Sequence, residues 1–397
     1  MQEILDRLSA DDEGAQIATR LLLPYLNHAA MMFESGYATR DDIDAAMRFG
    51  CGYPIGPLAL VDVLGAARVA SGLDEMYLES KDDLHKPAQV LAEHASAGTT
   101  FYGAESESGS GAVPEMKKAI SKVGVVGTGT MAGGIVEVFA KAGFDVTFVG
   151  RSAEKIDAVV KQITKSLDKA IERGKSDEAT KAKVLGRVHG ATEREALADC
   201  DLIVEAIAED LAIKLELFSD LDRIAKPGAI LATTTSSLSI TECAGATKRP
   251  KDVVGLHFFN PAPVMKLIEV VRGEKTSDEV FETAQAVSTA IGKHPVSCGD
   301  RAGFIVNALL FPYLNDAIKL HEAGTPKEEI DEVMKESQLP LGPFQLLDVV
   351  GNDVSLAIQK TLVAEFGHEG WQPAQTLEKL VAEGAMGRKT GRGFYQY

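Results

Sequence analysis

The sequence is poor in the residues that staple or anchor a chain. Its four cysteines (Cys51, Cys200, Cys243, Cys298) are scattered, with no CxxC pair and no metal-ligand spacing. That excludes a disulfide framework, gives no reason to expect a metal, and suits a reducing, cytoplasmic setting. No uninterrupted apolar run reaches the ~18 residues of a membrane span. The opening residues MQEILDRLSADDEG lack the basic-then-apolar layout of a signal peptide. Positive charge is in deficit: 58 acids against 41 bases leave a formal net charge of −17. Phosphate binding wants a basic face, so a nucleic-acid partner is not expected. What is present is ordinary globular material, 45% hydrophobic and 25% charged over 397 residues, enough for about two to three domains and a large core.

One segment breaks the texture. Residues 104–115, AESESGSGAVPE, have linker composition, and we set a linker at 104–118. The stretches on either side of the middle of the chain repeat one another. PYLNHAAMMFE (24–34) matches PYLNDAIKLHE (312–322), and IDAAM (43–47) matches IDEVM (330–334). YPIGPLALVDVLG (53–65) matches LPLGPFQLLDVVG (339–351), and HKPAQVLAE (85–93) runs parallel to WQPAQTLEK (371–379). The offset stays between 286 and 288, so one domain is present twice, at 1–103 and 301–397. Each copy reads as helical, with apolar residues at helical spacing, a Gly36 C-cap and a Thr39 N-cap.

Between the copies, at 119–300, short apolar strands alternate with helices. That predicts a doubly wound parallel sheet of the Rossmann type. Directly after the strand KVGVV comes Gly127-Thr128-Gly129-Thr130-Met131-Ala132, the G-x-G-x-x-A form of the dinucleotide fingerprint. Gly127 permits the tight turn, Gly129 lets backbone approach a pyrophosphate, and Ala132 permits close helix–strand packing. An unphosphorylated ribose calls for an acid at the end of the second strand. Gly150-Arg151-Ser152 stands there instead. An acid would repel a 2′-phosphate, whereas Arg and a hydroxyl favour it, so NADP(H) is expected over NAD(H). Arg151 stacked on adenine, or turned to solvent, is the alternative.

The blocks TTTSSLSI (233–240), GLHFFNPAPVMKLIEVV (255–271), GFIVNALLFPYLNDAI (303–318) and the terminal GRKTGRGFYQY occur in an order and spacing that closely resemble the L-3-hydroxyacyl-CoA dehydrogenase family. The short-chain, 3-hydroxybutyryl-CoA branch is the most similar. The resemblance covers 119–397. The N-terminal copy resembles only that family's helical C-terminal domain, of the 6-phosphogluconate dehydrogenase C-terminal type. It implies reversible NAD(P)-dependent interconversion of (S)-3-hydroxyacyl-CoA and 3-oxoacyl-CoA. His257 is then the catalytic base and Glu269 its carboxylate partner, while Ser236 and Asn307 hold the substrate oxygen. Glu209, Lys214, Asn260 and Lys389, with Ser236, fall at cofactor contacts. Ser166 and Arg173 fall where coenzyme A is held. The family's usual Asp is absent at Gly150.

The chemistry fits those residue types. Oxidising a 3-hydroxyl releases a hydride and a proton, and an imidazole, with an ordinary pKa of about 6.5, suits the proton. A carboxylate on its far nitrogen fixes the tautomer. Neutral donors steady the oxygen. Residues 155–187 carry nine bases and five acids, a basic island open to two readings: a path for coenzyme A phosphates, or a solvated helix face. The N-terminal copy has Thr19 where Asn307 stands, GTTFYG in place of GRKTGRGFY, and sixteen acids against seven bases. We read it as a packing partner without its own site. The chain is then a monomer built as an internal pseudo-dimer, with a homodimer as the alternative. Two other functions stay open: a dehydrogenase of a free hydroxy or sugar acid on the same fold, and a non-catalytic nucleotide-binding protein.

Overall fold

The computed structural model describes residues 2–103 and 115–397. Most of the expected linker, residues 104–114, lies outside the described residues. The chain divides into two compact units, Ser110–Asp300 and Met1–Gly109 with Arg301–Tyr397.

The first unit is an eight-stranded sheet. Its strands are β1 (Lys122–Val126), β2 (Asp145–Val149), β3 (Val188–Ala191), β4 (Leu202–Glu205), β5 (Ile230–Thr233), β6 (Val253–Phe258), β7 (Leu267–Arg272) and β8 (His294–Gly299). They lie in the order β3-β2-β1-β4-β5-β6-β7-β8. All neighbours are parallel except β6 and β7. The runs LIVE, ILAT and VVGLHF are buried at every position, as strands of a sheet covered on both faces must be. Helix Thr130–Lys141 packs Ile135, Val136 and Phe139 into the core with Phe148 and Phe258. The strand order reverses between β1 and β4, which opens a crevice at their carboxyl ends, where such sheets take ligands.

The second unit contains both halves of the repeat, element for element. Helices Glu13–Glu34, Arg40–Cys51, Pro57–Leu64, Ala66–Ser80 and Gln89–Ala97 have counterparts Val306–Glu322, Lys327–Glu336, Pro343–Val350, Asn352–Phe366 and Gln375–Ala382. The long helix of each half carries an internal proline, Pro24 and Pro312. Buried polar groups repeat bond for bond. Asp44 accepts from the Leu58 and Ala59 amides and the Tyr102 hydroxyl. Asp331 accepts from Phe344, Gln345 and the Tyr395 hydroxyl. Asp62 takes the amides of Phe101 and Tyr102, as Asp348 takes those of Phe394 and Tyr395. Asn27 bridges the Lys86 carbonyl and the Ala88 amide, and Asn315 bridges the Gln372 carbonyl and the Ala374 amide. The two long helices pack on one another, with Tyr25 against Tyr313 at 6.2 Å and His28 edge-on to Trp371 at 5.5 Å between ring centroids.

Candidate active site

The nucleotide end is built by the turn after β1. Gly127 has φ +135°, and a Cβ there would overlap the Ala206 carbonyl, so only glycine closes this turn. Helix Thr130–Lys141 starts at Gly129 with no side-chain cap, leaving its first N–H groups for an anion. A Cβ on Gly129 would meet nothing within 4 Å, so there is open space where a pyrophosphate belongs. Ala132 is fully buried against the turn. These residues fit a dinucleotide. At the end of β2, a Cβ on Gly150 would lie 2.6 Å from Thr128 Cγ2 and 3.1 Å from Ile156 Cγ1. The absent acid is therefore also sterically excluded while Thr128 keeps its place. Arg151 is exposed, and Ser152 caps the next helix by accepting from the Lys155 amide.

His257 and Glu269 form a cross-strand pair. His257 in β6 lies directly opposite Glu269 in β7. Cross-strand side chains on one face are within contact range, and His257 Nδ1 sits 2.5 Å from Glu269 Oε2. Both are buried, His257 at 4% and Glu269 at 0% exposure. Enclosure in a low-dielectric wall strengthens the bond and fixes the ring. His257 lies one residue from the carboxyl end of β6, and Ser236 follows β5, so both stand at the ligand edge.

The Ser236 loop is held from beneath. Glu209 accepts from the Ser236 amide at 2.8 Å and from the Thr235 hydroxyl at 2.5 Å. Lys214 is 1% exposed and gives both its short bonds, 2.7 Å each, to Glu205, with Glu209 at 3.4 Å. Glu205 also accepts from Thr233 at 2.6 Å. Lys214 therefore acts on the loop through carboxylates. Glu205 escaped the sequence reading. Its signal was available, because it closes the apolar strand LIVE just as Glu269 interrupts LIEVVR, and a buried acid demands partners.

Asn260 is exposed just past β6. Ser166, on helix Ala153–Glu172, donates to Glu137 Oε1 at 2.7 Å, and Lys141 pairs with the same oxygen. Arg173 is the exposed C-cap of that helix. The remaining two residues belong to the helical unit. Asn307 is 7% exposed in the first turn of helix Val306–Glu322. Lys389 pairs with Asp353 at 2.5 Å, which helps to hold that carboxyl below its ordinary range.

Comparison with known proteins gives this arrangement a family. The model for the 3-hydroxyacyl-CoA dehydrogenase NAD binding domain matches residues 122–301. The model for the 3-hydroxyacyl-CoA dehydrogenase C-terminal domain matches twice, at 17–109 and 303–397. A 3-hydroxybutyryl-CoA dehydrogenase of Clostridioides difficile is 46% identical over 278 residues, 70% of this chain and 99% of that protein. The mitochondrial hydroxyacyl-coenzyme A dehydrogenase of Homo sapiens is 42% identical over 75% of this chain and 98% of its own length. The crystal structure of (S)-3-hydroxybutyryl-CoA dehydrogenase PaaH1 from Ralstonia eutropha superposes with a TM-score of 0.69 at 40% identity, covering 70% of this chain and 99% of that one.

Proposed function

The chain belongs to the 3-hydroxyacyl-CoA dehydrogenase family, and on that premise we propose that it interconverts (S)-3-hydroxyacyl-CoA and 3-oxoacyl-CoA of short chain, 3-hydroxybutyryl-CoA and acetoacetyl-CoA. The observation that carries the reading is the buried His257–Glu269 pair at the ligand edge of a dinucleotide-binding sheet. When bound, the nicotinamide supplies or accepts the hydride. His257 takes the hydroxyl proton in oxidation and returns it to the oxygen in reduction. Glu269 keeps Nδ1 engaged and steadies the cationic ring. Ser236 and Asn307 hold the reacting oxygen as neutral donors. Glu209, braced by Lys214, keeps the Ser236 loop in register.

The turn at Gly150 supports NADP(H) as the preferred cofactor, because the position that would carry a ribose-binding acid is a glycine whose Cβ space is taken by Thr128, and Arg151 follows it. The packing of both helical stretches in one unit supports a monomer. Light scattering is expected to give a single species near 42.3 kDa. His257→Ala is expected to cut turnover of acetoacetyl-CoA by about 10³-fold. Unchanged turnover would overturn the assignment. Parallel assays with NADPH and NADH, and with acetoacetyl-CoA and free acetoacetate, test the cofactor and the thioester. Equal rates on the free acid would favour the hydroxy-acid reading.

A further inference from the structure

The turn that precedes Asn307 is backbone of an unfavourable kind. Gly303 has φ +74° and Phe304, which bears a side chain, has φ +48°. A Cβ on Gly303 would meet Leu362 Cδ2 at 2.9 Å and the Ala308 amide at 3.0 Å. Such backbone persists only where its surroundings over-determine it. The turn closes on Arg301, whose carbonyl accepts from the Phe304 amide at 3.1 Å, while Gly303 accepts from Ala308 at 3.1 Å. Arg301 is in turn held by aromatic faces. Its guanidinium carbon lies 3.8 Å from the centroid of Tyr37 and 5.0 Å from that of Phe366. Phe366 belongs to the C-terminal half, but Tyr37 belongs to the N-terminal one.

We propose that Tyr37 is a positioning residue for the reaction, holding Arg301 and thereby the strained turn that presents Asn307. The N-terminal stretch then serves the single active site. The contact has no counterpart under the repeat: at the offset of 288, Tyr37 corresponds to Thr325 and Arg301 to Glu13. One half supplies the ring and the other the cation. A guanidinium over a phenol face is a planar, directional contact that lysine does not reproduce.

The inference rests on the assignment of Asn307 above, and a double-mutant cycle in the full chain separates the two. With acetoacetyl-CoA and NADPH, Tyr37→Leu is expected to lower kcat about five- to tenfold with the KM for NADPH unchanged, and Tyr37→Phe, which keeps the ring, to restore most of it. In an Asn307→Ala background Tyr37→Leu should cost nothing further, because both act on one contact. An additive loss in that background would mean a structural role only. Arg301→Lys should reproduce the Tyr37→Leu defect and should not add to it. Wild-type kcat in Tyr37→Leu, with Asn307→Ala impaired, overturns the positioning role alone. Full activity in Asn307→Ala overturns the Asn307 assignment and the inference together. Circular dichroism and melting of each variant identify one that has failed to fold, for which Tyr37→Phe and Arg301→Lys carry the decision.

Discussion

The two helical stretches share a scaffold and differ in what the scaffold presents. Asp44 and Asp331, Asp62 and Asp348, Asn27 and Asn315 tie equivalent loops with equivalent bonds. Gly56 and Gly342 sit where a Cβ would overlap those aspartates. The groups that would touch a ligand are not retained. Thr19 replaces Asn307, and the N-terminal stretch lacks the lysine that its partner carries at Lys389. The interior of a fold constrains sequence through packing and buried polar groups. A face that meets no substrate would be released from that constraint. The shared long-helix contact needs only the scaffold.

The largest expected asymmetry lies at the equivalent positions 307 and 19. Asn307→Ala should lower kcat about 10²-fold, the loss expected on removing one donor from a developing oxyanion, and Thr19→Ala should leave it unchanged. Steady-state kinetics of the two variants decides, and equal losses would break the comparison. The scaffold should behave the opposite way. Asp44→Ala and Asp331→Ala each strand two backbone N–H donors and a tyrosine hydroxyl, at a cost of about 2–4 kcal/mol. Each should lower the melting temperature by several degrees. A silent Asp44→Ala would show that the N-terminal half no longer depends on its own interior bonds.

Smaller effects should come from a pair that diverged across the contact. His28 and Asp316 are equivalent at the offset of 288. Burial pushes the His28 imidazole down to about 3, and burial pushes the Asp316 carboxyl up to about 7. The signs oppose. His28 is held neutral, so its contribution is complete above the unfolded value near 6.5 and is lost as pH falls below it. Asp316 is held protonated, so its contribution is complete below about 3.8 and is lost as pH rises through 7. Replacing His28 by Phe removes the acid limb. Relative to that variant, the natural chain should lose about 2 kcal/mol between pH 7 and pH 5 in denaturant titrations. A constant difference would place His28 in contact with water.

Much of this was legible before any coordinates. The fingerprint, the repeat and the strand–helix alternation are local or periodic signals, and they led to the fold. His257 and Glu269 stand twelve residues apart, and their union follows from β6 and β7 being antiparallel and in direct register. That register cannot be read from spacing alone, and here the resemblance supplied the pair. The ion pair of Lys214 with Glu205, the stacking of Arg301 on Tyr37 and the crowding of Gly150 by Thr128 were not legible. Each depends on a contact between elements that sequence periodicity places on faces but does not bring together.

The smallest expected effect tests whether the lost face can be recovered. Thr19→Asn restores the amide at the position of Asn307, yet it should leave kcat, KM and melting temperature unchanged. Thr19 borders a cavity of about 280 Å³ together with Leu8, Leu23, Leu64 and Arg68. The N-terminal helix Gln2–Ser9 has settled at this opening, with Arg68 donating to the Leu8 carbonyl at 2.6 Å. One asparagine does not displace that helix. It also supplies neither a lysine tail nor a second nucleotide fold, since the chain has a single G-x-G-x-x-A turn at Gly127–Ala132. Calorimetric titration with NADPH should give one site per chain in the natural protein and in Thr19→Asn alike. A second site in the variant, or a gain in turnover, would mean that the N-terminal face kept more of the machinery than its sequence retains.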